Sequence, residues 1–205
     1  MKKTFLLTMI LSLTLLATGC VNNIAIQELN NKATEYMAKG DYENAISRLE
    51  ASIDLDGNVY ETQYNLGVAY TENEDYDKAI ETFEKAIKLK PDSADTFYSE
   101  AVAYENYAKS LYKGETKQQK EALEEQDEDD EDSIQQKKSL NEDGTYKPSD
   151  EELELVKQYY NSAIEKYSKY SEIATASSEN STEDVSAKIT ELQEILDTLS
   201  NGETN

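Results

Sequence analysis

Chemistry has few places to reside in this chain. It has no histidine, a single cysteine (Cys20) and no glycine-rich run of the phosphate-loop kind. Ser–His and Cys–His nucleophile pairs are therefore absent, as are the usual nitrogen–sulfur ligand sets for transition metals. What remains is oxygen chemistry, from 43 Asp and Glu residues and 15 Tyr. Carboxylates act as acid–base pairs or hold hard cations. No pair is marked out for the first task, but two stretches invite the second. Asp54-Leu55-Asp56-Gly57-Asn58 opens like a calcium loop, yet the sixth place, which calls for glycine, is Val59, and the twelfth, which calls for a bidentate acid, is Asn65. Between Glu121 and Asp132 nine of twelve residues are acidic and none is basic. Like charges at that density repel one another and favour a solvated, disordered loop over a fixed cage. We expect no enzyme, no metal site and no cofactor. A solute- or cation-capturing protein that uses the acidic run is the alternative to the reading developed below.

The formal net charge is −23. Nucleic acid and anionic headgroups repel such a chain, so no nucleic-acid partner is expected. The N-terminus carries Lys2 and Lys3, then an almost wholly apolar run from Phe5 to Ala17. That run is too short to span a hydrocarbon layer of about 30 Å and reads as an export signal. It ends Leu16-Ala17-Thr18-Gly19-Cys20, which resembles the bacterial lipoprotein box. The resemblance implies removal of residues 1–19 and a lipid, palmitate included, on Cys20. Residues 20–25 would be a short linker. The protein would then sit on the extracytoplasmic face of a cell membrane or envelope, held by lipid and not by a basic surface.

The elements behind these residues are helical. The composition is rich in helix formers, with 7 Gly, 2 Pro and no Trp. Residues 60–93 carry Leu66, Gly67, Tyr70, Tyr76, Ala79, Phe83, Ala86 and Pro91. In type and spacing these resemble the 34-residue tetratricopeptide repeat. Residues 26–59 repeat the register more weakly, with Tyr36, Asp41, Tyr42, Ala45, Ile46 and Leu49. Asp41 and Asp75 each stand where a helix N-cap is expected. Phe97, Ala101 and Tyr104 begin a third copy, and Tyr160, Ala163, Ile164 and Tyr167 reproduce the pattern of its second helix. We therefore expect a third repeat over 94–174, split by an acidic, disordered insertion at 114–150. Residues 175–182 read as a linker. Val185, Ile189, Leu192, Leu196 and Leu199 form one apolar stripe over 183–200, as a capping helix requires.

The resemblance implies an all-α solenoid of helix-turn-helix repeats with a C-terminal capping helix, whose first helices line a concave groove. By repeat position that groove would hold Asn30, Thr34, Tyr64, Asn65, Val68, Tyr98, Ser99 and Val102. Tyr64/Tyr98 and Val68/Val102 lie one repeat apart and are expected to stack as a ladder. Amphipathic aromatics suit a peptide groove. The lysines and arginines with which one subfamily clamps acidic tails are missing, and Glu61 and Asp95 stand nearby. The expected partner is a protein or peptide of neutral to basic charge, and the expected function an interaction adaptor or assembly scaffold. Gly67 is expected at a close helix–helix approach facing Ala79, while Gly114, at the edge of the insertion, is expected to tolerate a side chain.

Overall fold

The computed structural model describes residues 22–124, 145–176 and 183–201. The proposed signal, Cys20 and most of the acidic run lie outside these residues. The described elements are α1 (22–37), α2 (Tyr42–Leu55), α3 (Tyr60–Glu72), α4 (Tyr76–Leu89), α5 (Ala94–Lys113), α6 (Lys117–Glu124), α7 (Asp150–Ala176) and α8 (Glu183–Ser200). Helix α1 already includes residues 22–25, which were expected as linker.

Successive helices pack as neighbours, α2 on α3, α3 on α4, α4 on α5, and α5 most extensively on α7. The small residues of the repeat set the approach. A Cβ added to Gly67 would lie 2.6 Å from the Phe83 ring, so α3 and α4 meet where only glycine fits. The group facing it is that ring, not the expected Ala79. Ala33, Ala45, Leu49, Leu66, Ala69 and Phe83 fill the first core; Ala101, Val156, Ala163, Tyr167 and Leu192 fill a second around α5, α7 and α8. Polar stitches fix the spacing of one repeat on the next. The Tyr60 hydroxyl lies 2.6 Å from Ser93 Oγ and 2.8 Å from Thr96 Oγ1. Asn30 Nδ2 donates to Thr62 Oγ1 at 2.8 Å and to Ser52 Oγ at 3.2 Å.

Helices α5 and α7 use the same contact as α3 and α4. Tyr64 leans on Phe83 with ring centroids 6.2 Å apart, and Tyr98 leans on Tyr167 at 5.5 Å. Tyr98 follows Tyr64 by 34 residues, while Tyr167 follows Phe83 by 84. The added length is taken up partly by lengthening the helices themselves. Helix α3 has 13 residues, whereas α5 has 20 and α7 has 27.

The flanks of the insertion are folded, contrary to the expectation of a disordered segment from 114 to 150. Gly114 caps α5 in the left-handed region at φ 72°, and a Cβ there would lie 2.6 Å from the Tyr146 ring. Gly114 is thus a constrained position, not a tolerant edge. Thr116 is buried, and Gln119 Nε2 donates to Tyr146 Oη at 3.1 Å and Glu152 Oε1 at 3.0 Å. Tyr146 Oη donates to the same Glu152 oxygen at 2.5 Å. Ser149 and Glu152 form a reciprocal capping box at the start of α7: Glu152 N donates to Ser149 Oγ, and Ser149 N to Glu152 Oε2. Helix α6 is pinned to the α3–α4 turn by Lys117–Asp75 at 3.1 Å and Lys120–Glu74 at 2.9 Å. Of the two expected N-caps, Asp41 accepts from Asn44 N at 3.3 Å, but Asp75 makes no cap bond and pairs with Lys117 instead.

Helix α8 buries Val185 and Leu192 of its apolar stripe. Lys188 ties it to α5 through Glu105 at 3.2 Å. Among the described residues no helix is long and apolar enough to cross a membrane.

Candidate functional site

The strip expected to bind a partner runs along the first helices α1, α3 and α5. At its centre Tyr64, Asn65, Val68, Ser99 and Val102 are half-buried, and Tyr98 is 42% exposed. Tyr64 is held by three neighbours: the Tyr60 ring at 6.1 Å, the Phe83 ring at 6.2 Å and Ser99 Oγ at 3.3 Å from its hydroxyl. Tyr98 is held edge-on by Tyr167 at 5.5 Å and by Tyr170 at 5.4 Å. Each tyrosine therefore has a supported ring and an accessible portion. Among the described residues the two rings do not stack on each other. Each rests on the second helix of its own pair, so the expected ladder is a repeat of environments and not a continuous stack. Glu61 and Asp95 are exposed at the N-terminal ends of α3 and α5.

The N-terminal part of the strip is different. The Asn30 amide is spent on Ser52, Thr62 and the carbonyl of Ile26 at 2.9 Å, which makes it an inter-repeat stitch and removes it from the groove. Thr34 is exposed, but its hydroxyl donates to the Asn30 carbonyl at 3.0 Å. The usable surface is concentrated on α3 and α5.

Asp56 and Asn58, which open the calcium-loop look-alike, form a turn in which Asp56 Oδ1 accepts from Asn58 N at 2.9 Å. Among the described residues no group of three or more Cys, Asp or Glu side chains is arranged to hold a metal ion.

Two buried carboxylates on α5 were not foreseen. Glu105 is 4% exposed and accepts from Tyr167 Oη at 2.8 Å, from Lys109 and from Lys188. Burial pushes its pKa upward, but the bonds from Lys109 and Tyr167 and the charges of both lysines hold it below the usual carboxylate value. Glu100 is fully buried, with Lys166 Nζ 2.9 Å from Oε2. That contact is close enough for charge attraction but poorly aligned for a hydrogen bond, and Oε1 has no hydrogen-bond partner among the described residues. Burial dominates here, and the Glu100 pKa is raised despite Lys166. The signal was present in the sequence: Glu100 stands 34 residues after Leu66, where the repeat places a core leucine.

Residues 60–93 and 29–59 each match a family model described as tetratricopeptide repeat. With the stacked helix pairs and the α8 cap, they define an all-α solenoid of tetratricopeptide-repeat type. No curated protein matches the chain. Solved structures similar to it include one titled "Crystal structure of MamA", at 17% identity and a TM-score of 0.41 over 86% of this chain and 81% of that one. MamA from Desulfovibrio magneticus RS-1, residue 41 to the end, is 18% identical over 88% of this chain and 98% of that one, with a TM-score of 0.37. A MamA RS-1 ArsTM double mutant is 19% identical over 85% and 97%, also at 0.37.

Proposed function

We propose that this protein is a lipid-anchored adaptor on the extracytoplasmic face of a cell membrane, holding a neutral to basic protein segment against α3 and α5. The observation that carries the reading is the pair Tyr64 and Tyr98. They stand one repeat apart, each is braced by an aromatic residue of its own second helix, and each keeps part of its ring accessible. Braced aromatics lose little freedom on binding and are frequent anchors of interfaces. Val68 and Val102 add apolar area beside them, and Glu61 and Asp95 set the sign of the partner's charge. The lipobox at Cys20 supports the anchor, and the first described helix begins two residues later, at Asn22. The solenoid would therefore stand close to the bilayer.

The test is affinity capture from membranes with the wild type and with Tyr64→Ala/Tyr98→Ala. Loss of one defined partner, with helical content unchanged, supports the reading. Equal capture by both contradicts it. Mass spectrometry of the mature N-terminus tests the anchor separately: an unmodified Cys20 overturns that part alone.

A further inference from the structure

The helices of this solenoid alternate in direction, so their ends gather at two opposite edges. Tyr60 at the start of α3 bonds to Ser93 and Thr96 at the start of α5, and Lys90, just past α4, has its Nζ 5.0 Å from the centre of the Tyr60 ring. Asn30 on α1 meets Thr62 at the start of α3 and Ser52 near the end of α2. The near edge therefore holds the starts of α1, α3 and α5 and the ends of α2 and α4. At the far edge α6 is paired with Glu74 and Asp75 in the α3–α4 turn, and Tyr146 packs on Gly114 past the end of α5. Both flanks of the stretch 125–144 thus meet the solenoid at the far edge. The two edges are about 30 Å apart along the 20 residues of α5.

Four large apolar side chains stay exposed among the described residues: Ile24, Leu55, Leu89 and Tyr98. Tyr98 belongs to the strip, and the other three stand at the near edge. Leu55 and Leu89 close α2 and α4, one repeat apart. Ile24, 66% exposed, lies in a turn that α1 adds beyond the repeat. The residue one repeat before Tyr60 is Ile26, but α1 begins four residues earlier, at Asn22. Cys20 is two residues from Asn22, at most about 7 Å of chain. A lipid on Cys20 would hold this edge, and no other, against the bilayer.

We propose that the near edge is the membrane face of the protein, with Ile24, Leu55 and Leu89 entering the headgroup layer. The proposal rests on the reading of Cys20 as lipidated and adds an orientation to it. Three apolar side chains bind a bilayer weakly by themselves, but a tether this short makes their contact intramolecular and raises its effective concentration. Charge does not hold the edge: Lys88 and Lys90 flank Leu89, but Asp54 and Asp56 flank Leu55. A surface of zwitterionic headgroups suits it. The acidic insertion leaves the solenoid on the side away from the lipid, beyond a screening length of about 8 Å, so its charge does not oppose the contact. Tyr64 and Tyr98 are each the fifth residue of their helix. The strip would then hold its partner within about 10 Å of the headgroups.

The experiment uses the protein recovered from cell membranes as the cell processes it, with a fluorescent amino acid placed at Leu55, Leu89, Lys39 or Glu115. It is reconstituted in phosphatidylcholine vesicles that contain a lipid spin-labelled at the headgroup, which quenches on contact. Emission should be lost at Leu55 and Leu89 and kept at Lys39, in the α1–α2 turn, and at Glu115, just past α5. With the fluorophore at Leu89, Ile24→Ser/Leu55→Ser should restore emission while helical content stays unchanged. Equal quenching at all four positions, stronger quenching at Lys39 or Glu115, or quenching at Leu89 that ignores the serine changes would each overturn the proposal. A mass spectrum of the same sample with an unmodified Cys20 would overturn the anchor alone, because the four positions still report which edge meets the bilayer.

Discussion

The Tyr167 hydroxyl donates to the buried Glu105 carboxylate at 2.8 Å, across 62 residues of sequence. Tyr167 lies after the insertion and Glu105 before it. Lys188 of α8 reaches the same carboxylate at 3.2 Å, so one charged group ties together α5, α7 and the cap. Tyr167→Phe removes the hydroxyl and leaves the ring. It should destabilise the protein by about 1–3 kcal/mol in urea unfolding, since a charged acceptor is left one donor short.

Glu105 and Glu100 should respond to pH in opposite directions. The folded pKa of Glu105 is depressed, so its stabilising contribution is present above the unfolded value of about 4.3 and is lost as pH falls through the folded value. Glu100 has a raised pKa, so its charge costs stability at neutral pH, and that cost is relieved as pH falls through the folded value. Urea unfolding at pH 7 should show Glu105→Gln clearly less stable than wild type. Glu100→Gln should lie within about 1 kcal/mol of wild type, on either side. The Glu105→Gln deficit should shrink on acidification below pH ~4. A deficit that is independent of pH would show that its carboxylate is not held in the charged form.

Gly67 and Gly114 should both resist substitution, for different reasons. A Cβ on Gly67 meets Phe83, and one on Gly114 meets Tyr146 in a left-handed backbone. Gly40 shares the left-handed φ of 72° but has nothing within 4 Å. Gly67→Ala and Gly114→Ala should each cost about 1–3 kcal/mol, while Gly40→Ala should cost about 1 kcal/mol. Thermal melts of the three variants give the order directly.

The repeat grammar was legible because it is written in residue size. Gly67, Ala79 and Ala101 mark close approaches and Tyr64, Phe83 and Tyr98 mark the bulk that fills them, so period and partner faces followed from spacing. The folded flanks of the insertion were harder to see. Ser149 and Glu152 spell a capping box, but Tyr146 and Gln119 find Gly114 and Glu152 only once the chain has turned back across the insertion. The ambiguity of groove positions has the same origin. Asn30 stands one repeat before Tyr64, and only the nearby Ser52 and Thr62 hydroxyls turn it inward. Glu100 is hard to see because a charge in a strongly acidic chain reads as solvated unless the register is followed to Leu66.

Excising residues 125–144 and excising 115–149 should give different results. The shorter deletion keeps Thr116, Gln119, Tyr146 and the Ser149–Glu152 cap. Closing a loop of altered length changes stability by only about 0.6 kcal/mol per doubling, so its melting temperature should move by a few degrees at most. The longer deletion removes the Tyr146–Gln119–Glu152 bonds and exposes the α5 cap. It should unfold at distinctly lower temperature or denaturant. Equal stability of the two would show that the folded flanks contribute nothing.

Glu74 is the one non-glycine with positive φ among the described residues, at 62°, in the place that Gly40 fills one repeat earlier. Glu74→Gly relieves that backbone and loses only an exposed pair with Lys120. It should stabilise the protein by about 0.5–1 kcal/mol in chemical unfolding. A loss of stability would mean that Lys120 and α6 depend on Glu74 more than its exposure indicates.

Partner binding along α3 and α5 is tested most directly by photo-crosslinking in intact cells, with a photoreactive amino acid placed at Val68, at Val102 or at Asp129. The account predicts one shared partner crosslinked from Val68 and from Val102, abolished by Tyr64→Ala/Tyr98→Ala, and little or none from Asp129. A partner that crosslinks from Asp129 and not from either valine would contradict it and make the acidic segment the binding element.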